Sequence, residues 1–410
     1  MKLNLKNQTH KVLALSDQVL VSGTNFTVGI LITRAIGIED YGRFTLYWMI
    51  FLFLHGLCNS FIGLPAQIIS NQMPNKLIYL EENNRLGTLL LIIFFTLLYP
   101  AFFIYDYTTS ASFGYGYWLF PLVILLYLKQ EMNRKYFYAK LNLKKVISID
   151  VCSYLLQIPS LLILSFFFEM SLNLVLLNLT IFGLFGQLIF VLIKDRTQTK
   201  FQFKNLPILA NWKYSKHLIT TTILQWFSGN ILIISAGPIL GIAAVGIIRI
   251  LQNIMGVLHV LFLTLENVVP VKASMLLNTH GKKQMFTYFK KVFMVTGAIY
   301  GVILITLKLS GQFILTFLYG AEYAQYTNLL DIFILLYVFV FIGTIAQLII
   351  KTLKLNIGIS IAYALTAITA FTLSVPLLET FDIKGVIIGL GIFQVITIST
   401  YYITIKRNLK

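Results

Sequence analysis

Arg249, Gln252, Asn253, Gly256 and His259 recur at spacings of three and four. At 100° per residue they fall within about a third of a helix circumference. A stripe of an arginine, two amides and an imidazole within a span could line an aqueous cavity. The same stripe also fits a packed polar seam in which Arg249 lies near a helix end and reaches back to water; spacing alone leaves both readings open. Two weaker stripes share the period: Gln18, Ser22, Asn25 and Gly29, then Thr221, Gln225 and Ser228. Small and hydroxyl residues so spaced also serve close helix packing. His55 and His259 stand in apolar stretches, where imidazole can carry a proton, meet a phosphate or be a satisfied hydrogen-bonding group. Arg34 falls on the other face of its helix from Asn25, as an interfacial anchor or a cavity cation.

Other chemistries lack residues. There is no Walker-type glycine loop, no H-E-x-x-H and no G-x-S-x-G, and no span carries paired carboxylates. Glu131 and Asp150 flank a basic connection and read as interfacial salt partners. Cys58 and Cys152 lie in apolar stretches without metal-like spacing and read as packing residues. The expectation is a protein that is not an enzyme and uses neither cofactor nor metal.

The elements that position these residues follow from composition. Of 410 residues 58% are hydrophobic and 11% charged, and mean hydropathy is +0.81. A soluble domain needs about a quarter of its residues charged, so the chain belongs in a bilayer. A helix crosses the hydrocarbon with roughly 20 apolar residues. Such windows fall at 17–38, 44–66, 86–105, 115–134, 147–168, 172–193, 216–238, 242–266, 291–315, 328–350, 356–378 and 384–405. They are continuously apolar, which excludes the alternating strands of a barrel. Of the 32 basic residues, 27 fall in alternate connections, leaving Arg34, Arg43, Arg249, Lys308 and Lys384 elsewhere. By the bias of basic residues toward the cytoplasm, both termini are cytoplasmic. The net charge of +17 is thus parcelled beside membrane helices, where membrane lipids are the partner and nucleic acid is not.

Laid on itself with an offset of about 205, the sequence repeats. Ser22-Gly23-Thr24-Asn25 faces Ser228-Gly229-Asn230; Gly37 and Gly42 match Gly241 and Gly246; His55 matches His259, and Pro65 matches Pro270. Six helices per half is an even number, so both halves enter the membrane the same way up. The expected fold is an all-α polytopic membrane protein of about twelve transmembrane helices in two parallel six-helix bundles, 1–205 and 206–410. Such bundles enclose a mid-membrane cavity and rock about it, and connections this short leave no room for a catalytic domain. Transport is the economical inference.

Several segments resemble a known family. Ser16-Asp17-Gln18 through Phe26, then Arg34-Ala35-Ile36-Gly37-Ile38-Glu39-Asp40-Tyr41-Gly42, is similar to the start of bacterial polysaccharide flippases. These are the Wzx-like members of the multidrug/oligosaccharidyl-lipid/polysaccharide exporter superfamily. Arg134 to Gln157, Trp226 to Pro270 and Tyr319-Gly320 to Leu330 extend the resemblance over most of the chain. It implies an inner-membrane carrier that flips a polyprenyl-pyrophosphate-linked oligosaccharide for O-antigen, capsule or another surface polymer. Relatives have a cationic cavity, to which Arg249 and Arg34 would contribute. Coupling to H⁺ or Na⁺ and work beside a polysaccharide polymerase are further implied partners.

Two rivals remain. An H⁺- or Na⁺-coupled exporter of small amphipathic compounds would want carboxylates within the membrane, and only Asp17 and Asp331, near span ends, qualify by position. A membrane-embedded glycan polymerase or ligase would want a large external loop, and these are short.

Overall fold

The computed structural model describes residues 2–109, 116–195 and 203–409; Arg196, Lys200 and Lys410, counted above among the connecting cations, lie outside the described residues. All regular structure in the described residues is helical. Three long runs are each two rods joined at a non-helical residue: Lys2–Cys58 breaks at Gly37, Ile242–Tyr319 at Gly281, and Ile357–Leu409 at Asp382. Gly37, Gly241 and Gly281 take φ of 75°, 92° and 77°, a region that glycine enters without the Cβ penalty. With these breaks the rods are α1 (2–36), α2 (38–72), α3 (Lys76–Thr109), α4 (Gly116–Ala139), α5 (Leu143–Phe167), α6 (Leu172–Ile193), α7 (Ile208–Leu240), α8 (242–280), α9 (282–319), α10 (Thr327–Thr352), α11 (357–381) and α12 (383–409).

Seven runs among the described residues are long and apolar enough to cross a membrane; three of them, Ser16–Gln72, Leu261–Tyr319 and Ile357–Asn408, contain one of those breaks. The windows 86–105 and 115–134 lie in α3 and α4, which border the undescribed residues 110–115 and are not among the seven. Phe166 and Leu309 are 86% and 84% exposed, an arrangement that suits hydrocarbon rather than water. The chain is a multi-pass, all-α membrane protein. The connection between residues 266 and 291, expected as a basic loop, is instead helix on both sides of Gly281.

The chain forms two compact units: residues 1–37 with 47–222, and residues 38–46 with 223–410. In the first unit, Tyr79 and Leu80 of α3, Tyr136 and Phe137 of α4, Val146 and Ile149 of α5 and Phe190 of α6 make one buried cluster. Helix α2 takes a π turn at Asn59–Gly63, which disturbs the usual ladder of carbonyls. Three successive carbonyls there are met by side chains: Ser215 Oγ donates to Ser60 O at 2.7 Å, Asn211 Nδ2 to Phe61 O at 2.9 Å, and Asn83 Nδ2 to Ile62 O at 3.0 Å. The first fifteen residues of α7 are thereby stitched to α2.

In the second unit, the start of α2 packs on the start of α8. A Cβ on Gly42 would lie 2.2 Å from the Ile242 carbonyl oxygen, and one on Gly246 would lie 2.6 Å from the Ile38 carbonyl oxygen. The contact is reciprocal: adding 204 to 38 and 42 gives 242 and 246. Deeper in this unit, Tyr300 stacks on Phe262 and Phe341 at 5.5 and 4.9 Å and donates to the Tyr337 carbonyl at 2.9 Å.

Candidate functional site

Helix α8 starts where Gly241 turns the chain, and the glycine contact with residue 38 fixes its first two turns. That fixing positions Arg249, Gln252 and Asn253, which are all half-buried. Arg249 Nη1 reaches Gln252 Oε1 at 3.4 Å, and Asn253 Nδ2 donates to the Tyr41 hydroxyl at 3.1 Å. No ion pair among the described residues joins Arg249 to a carboxylate. A guanidinium held among amides and tyrosines, without its own counter-ion, has donors to offer an incoming anion. His259 is exposed two turns further along, its ring 6.0 Å from that of Phe262, and Gln225 of α7 is exposed in the same unit.

The first unit contains Asn25, Arg34 and His55 of the expected residues. Asn25 and Arg34 are exposed, and His55 Nε2 stands 3.5 Å from Glu131 Oε2. Both histidines stand beside an aromatic ring, His55 with Phe51 at 5.9 Å and His259 with Phe262 at 6.0 Å, and among the described residues His55 alone of the two has a carboxylate within salt-bridge distance.

Around Glu131 lies a group that the sequence did not assemble. Each nitrogen of the Arg134 guanidinium meets a different carboxylate: Nε meets Asp150 Oδ2 at 2.8 Å, Nη1 meets Glu131 Oε1 at 2.6 Å, and Nη2 meets Asp17 Oδ2 at 3.0 Å. Asp17 and Asp150 are fully buried. Tyr138 donates to Asp17, Tyr154 donates to Glu131 at 3.2 Å, and Gln130 donates to Asp150 at 3.3 Å and Ser153 at 2.6 Å. Asp17 Oδ1 is buried without a hydrogen-bond partner among the described residues. Glu131 and Asp150 are salt partners, as expected, but of the inward-pointing Arg134 in a buried group between α1, α4 and α5. Three carboxylates thus share one guanidinium, with Lys135 and His55 nearby among the described residues.

Its signal was present on α4. Tyr127, Gln130, Glu131, Arg134 and Tyr138 follow spacings of three and four, the same pattern that singled out the α8 stripe. Asp17 was out of reach of that pattern, since it lies 117 residues from Arg134.

No family model matches the chain, and no curated protein matches it in sequence. Solved structures do match in fold. A multidrug-resistance MATE family transporter of the MOP superfamily, in an inward-facing conformation, superposes with a TM-score of 0.75 at 13% identity, covering 95% of this chain and 94% of that one. A MOP superfamily transporter from Pyrococcus furiosus, described by the reverse polarity of its binding pocket, gives 0.66 at 12% identity over 97% and 94%. A eukaryotic MATE transporter gives 0.63 at 12% identity over 95% of each chain. The chain has the fold of these transporters.

Proposed function

We propose that the chain flips a polyprenyl-pyrophosphate-linked oligosaccharide across a bacterial inner membrane by alternating access, supplying O-antigen, lipopolysaccharide or capsule assembly. The observation that carries this reading is Arg249, half-buried beside Gln252 and Asn253 and without a carboxylate among the described ion pairs. A pyrophosphate cannot enter hydrocarbon bare, and a guanidinium with amides in a wet cavity replaces its lost hydration. Gln252, Asn253, His259 and Gln225, with Asn25, His55 and Arg34, are the other residues assigned to the path. Two parallel six-helix halves, 1–205 and 206–410, with both termini cytoplasmic, complete the reading; the fold shared with MOP superfamily transporters supports it. A polysaccharide polymerase is the expected neighbour in the membrane.

The test uses the purified chain in proteoliposomes holding a fluorescent lipid-linked oligosaccharide, with an external quencher reporting which leaflet holds it. Arg249→Ala should abolish exchange between leaflets while leaving membrane insertion intact. Wild-type exchange by that variant removes Arg249 from the mechanism.

A second reading is favoured by the Asp17, Glu131 and Asp150 group: an H⁺-coupled exporter of small amphipathic cations, whose required carboxylates are present after all. If the same vesicles expel a cationic dye down an imposed pH gradient, and Asp150→Asn stops them, that reading replaces the first.

A further inference from the structure

Lys129 lies in no connection; it stands inside α4, ten residues before the helix ends at Ala139. Its Nζ donates to Asn84 Oδ1 and Thr88 Oγ1 of α3, each at 2.7 Å, and both acceptors are uncharged. An ammonium has three N–H donors, so one is left over. Among the described residues Lys129 is in no ion pair. The carboxylate nearby is Glu81, one turn before Asn84 on α3. It is already occupied: Lys194 Nζ meets its Oε2 at 2.7 Å, and the Tyr136 hydroxyl donates to its Oε1. Lys129 and Lys194 both stand over the Phe190 ring, 5.8 and 5.6 Å from its centre. Two ammoniums thus share one carboxylate, and one positive charge is left unmatched at a half-buried residue within a span.

Beside this cation a narrow crevice opens between α3 and α4. Leu91, Ile124 and Leu128 form its buried floor, while Phe94, Phe95 and Leu125 are half-buried at its mouth. Every side chain that lines it is apolar. Leu125 lies one turn from Lys129 on α4, and Phe95 lies two turns from Thr88 on α3, so cation and crevice occupy the same helix faces. A soluble anion would account for the cation but not the crevice. A bare hydrocarbon chain would account for the crevice but not the cation. An anionic head on a flexible chain accounts for both. One unmatched positive charge fits the single negative charge of a phosphodiester, whereas a pyrophosphate would bring more than the site balances.

We propose that Lys129 and this crevice form a single-occupancy site for an anionic phospholipid, its phosphate at Nζ and one acyl chain lying between α3 and α4. Exposed lysines in the connections attract anionic lipid diffusely, and salt screens that pull. Here shape and charge act together on one molecule.

The test reconstitutes the full chain in phosphatidylcholine bilayers holding a trace of phosphatidylglycerol with a photoactivatable group on its acyl chain; after illumination, mass spectrometry locates the labelled residues. Label should concentrate in 91–95 and 121–128, saturate at one lipid per chain, and yield to unlabelled phosphatidylglycerol but not to added phosphatidylcholine. Lys129→Gln, which keeps a hydrogen-bonding group beside Asn84 and Thr88, should lower crevice labelling by about fivefold, the worth of one cation at an anionic headgroup. Leu125→Trp fills the mouth without touching the charge and should lower it as much. Lys144→Gln removes an exposed cation elsewhere in the same unit and should leave it unchanged. The competition measured in the wild type needs no variant and decides the matter if one fails to fold. Wild-type labelling of Lys129→Gln, an equal loss in Lys144→Gln, or equal competition by phosphatidylcholine overturns the proposal. Displacement by inorganic phosphate at constant ionic strength overturns it by assigning Lys129 to a soluble anion, and stronger competition by a polyprenyl pyrophosphate overturns it by assigning the crevice to that lipid.

Discussion

Replacing either glycine of the α2–α8 contact by alanine tests the packing that holds Arg249 in place. At Gly42 the new Cβ would stand 2.2 Å from the Ile242 carbonyl oxygen and 2.8 Å from its Cγ2; at Gly246 it would stand 2.6 Å from the Ile38 carbonyl oxygen and 2.8 Å from its Cδ1. A side-chain tip can swing away, but a carbonyl oxygen moves only with its backbone, so the two helices must part. Overpacking of this kind costs roughly 1–3 kcal/mol, and a clash with backbone belongs at the upper end. Alanine returns about 0.5–1 kcal/mol of helix propensity, leaving a net loss of about 2 kcal/mol. At about 2–4 °C per kcal/mol for a unit of this size, thermal unfolding in detergent should fall by about 4–8 °C. Gly23 and Gly256 provide the control, since a Cβ there meets nothing within 4 Å and should leave stability unchanged or slightly raised. Because both substitutions part the same helix pair, the double variant should lose less than the sum of the singles. Unfolding of Gly42→Ala at the wild-type temperature, or an equal fall for Gly256→Ala, would refute the close contact as a determinant of stability.

Other perturbations follow from the first unit. Arg134→Gln removes the one guanidinium among three buried or nearly buried carboxylates and should cost about 3–5 kcal/mol, read as a lowered unfolding temperature that partly recovers when Asp150→Asn is added. Asn211→Ala deletes an amide that accepts from the Tyr79 hydroxyl and donates to the Phe61 carbonyl and Asn83 Oδ1; a loss of about 2–4 kcal/mol should appear in chemical denaturation. The Asp195 carboxyl is held below its ordinary range, first by the hydrogen bond from Lys145. A depressed carboxylate adds stability that is present above its unfolded value, about 4, and lost as pH falls through the lower folded value. Asp195→Asn should therefore unfold at a lower temperature than wild type at pH 7, with the gap closing below about pH 4; a gap that widens on acidification would contradict the sign.

What the sequence revealed and concealed divides along physical lines. Hydrophobic length is a local property, so helical and membrane character could be read residue by residue, and the α8 stripe was visible because helical periodicity is local too. The spacing of Gly37, Gly42, Gly241 and Gly246 was equally visible, but its purpose was not. Only the folded chain shows that Gly42 makes room for the Ile242 carbonyl and Gly246 for the Ile38 carbonyl. The Arg134 group lay beyond local reasoning altogether. Glu131 and Asp150 look like surface charges when judged by their neighbours in sequence, because Lys135, Lys144 and Lys145 surround them. Three-dimensional approach of Asp17, far away along the chain, turns the same residues into a buried set.

That reversal bears on the proposed mechanism, because each unit carries its own set of chemistry. The second unit holds Arg249 with amides and in no ion pair among the described residues, whereas the first holds three carboxylates on the one guanidinium they share. Under the readings proposed above, one serves an anion and the other a proton. For the pyrophosphate carrier proposed above, a carboxylate paired with Arg249 would compete with the substrate for its donors. Asp150→Asn should then alter the pH dependence of lipid-linked oligosaccharide exchange without weakening headgroup binding, while Arg249→Ala should weaken binding at every pH. Measuring both quantities for both variants separates the roles: loss of headgroup binding in Asp150→Asn would show that the two sets act as one site.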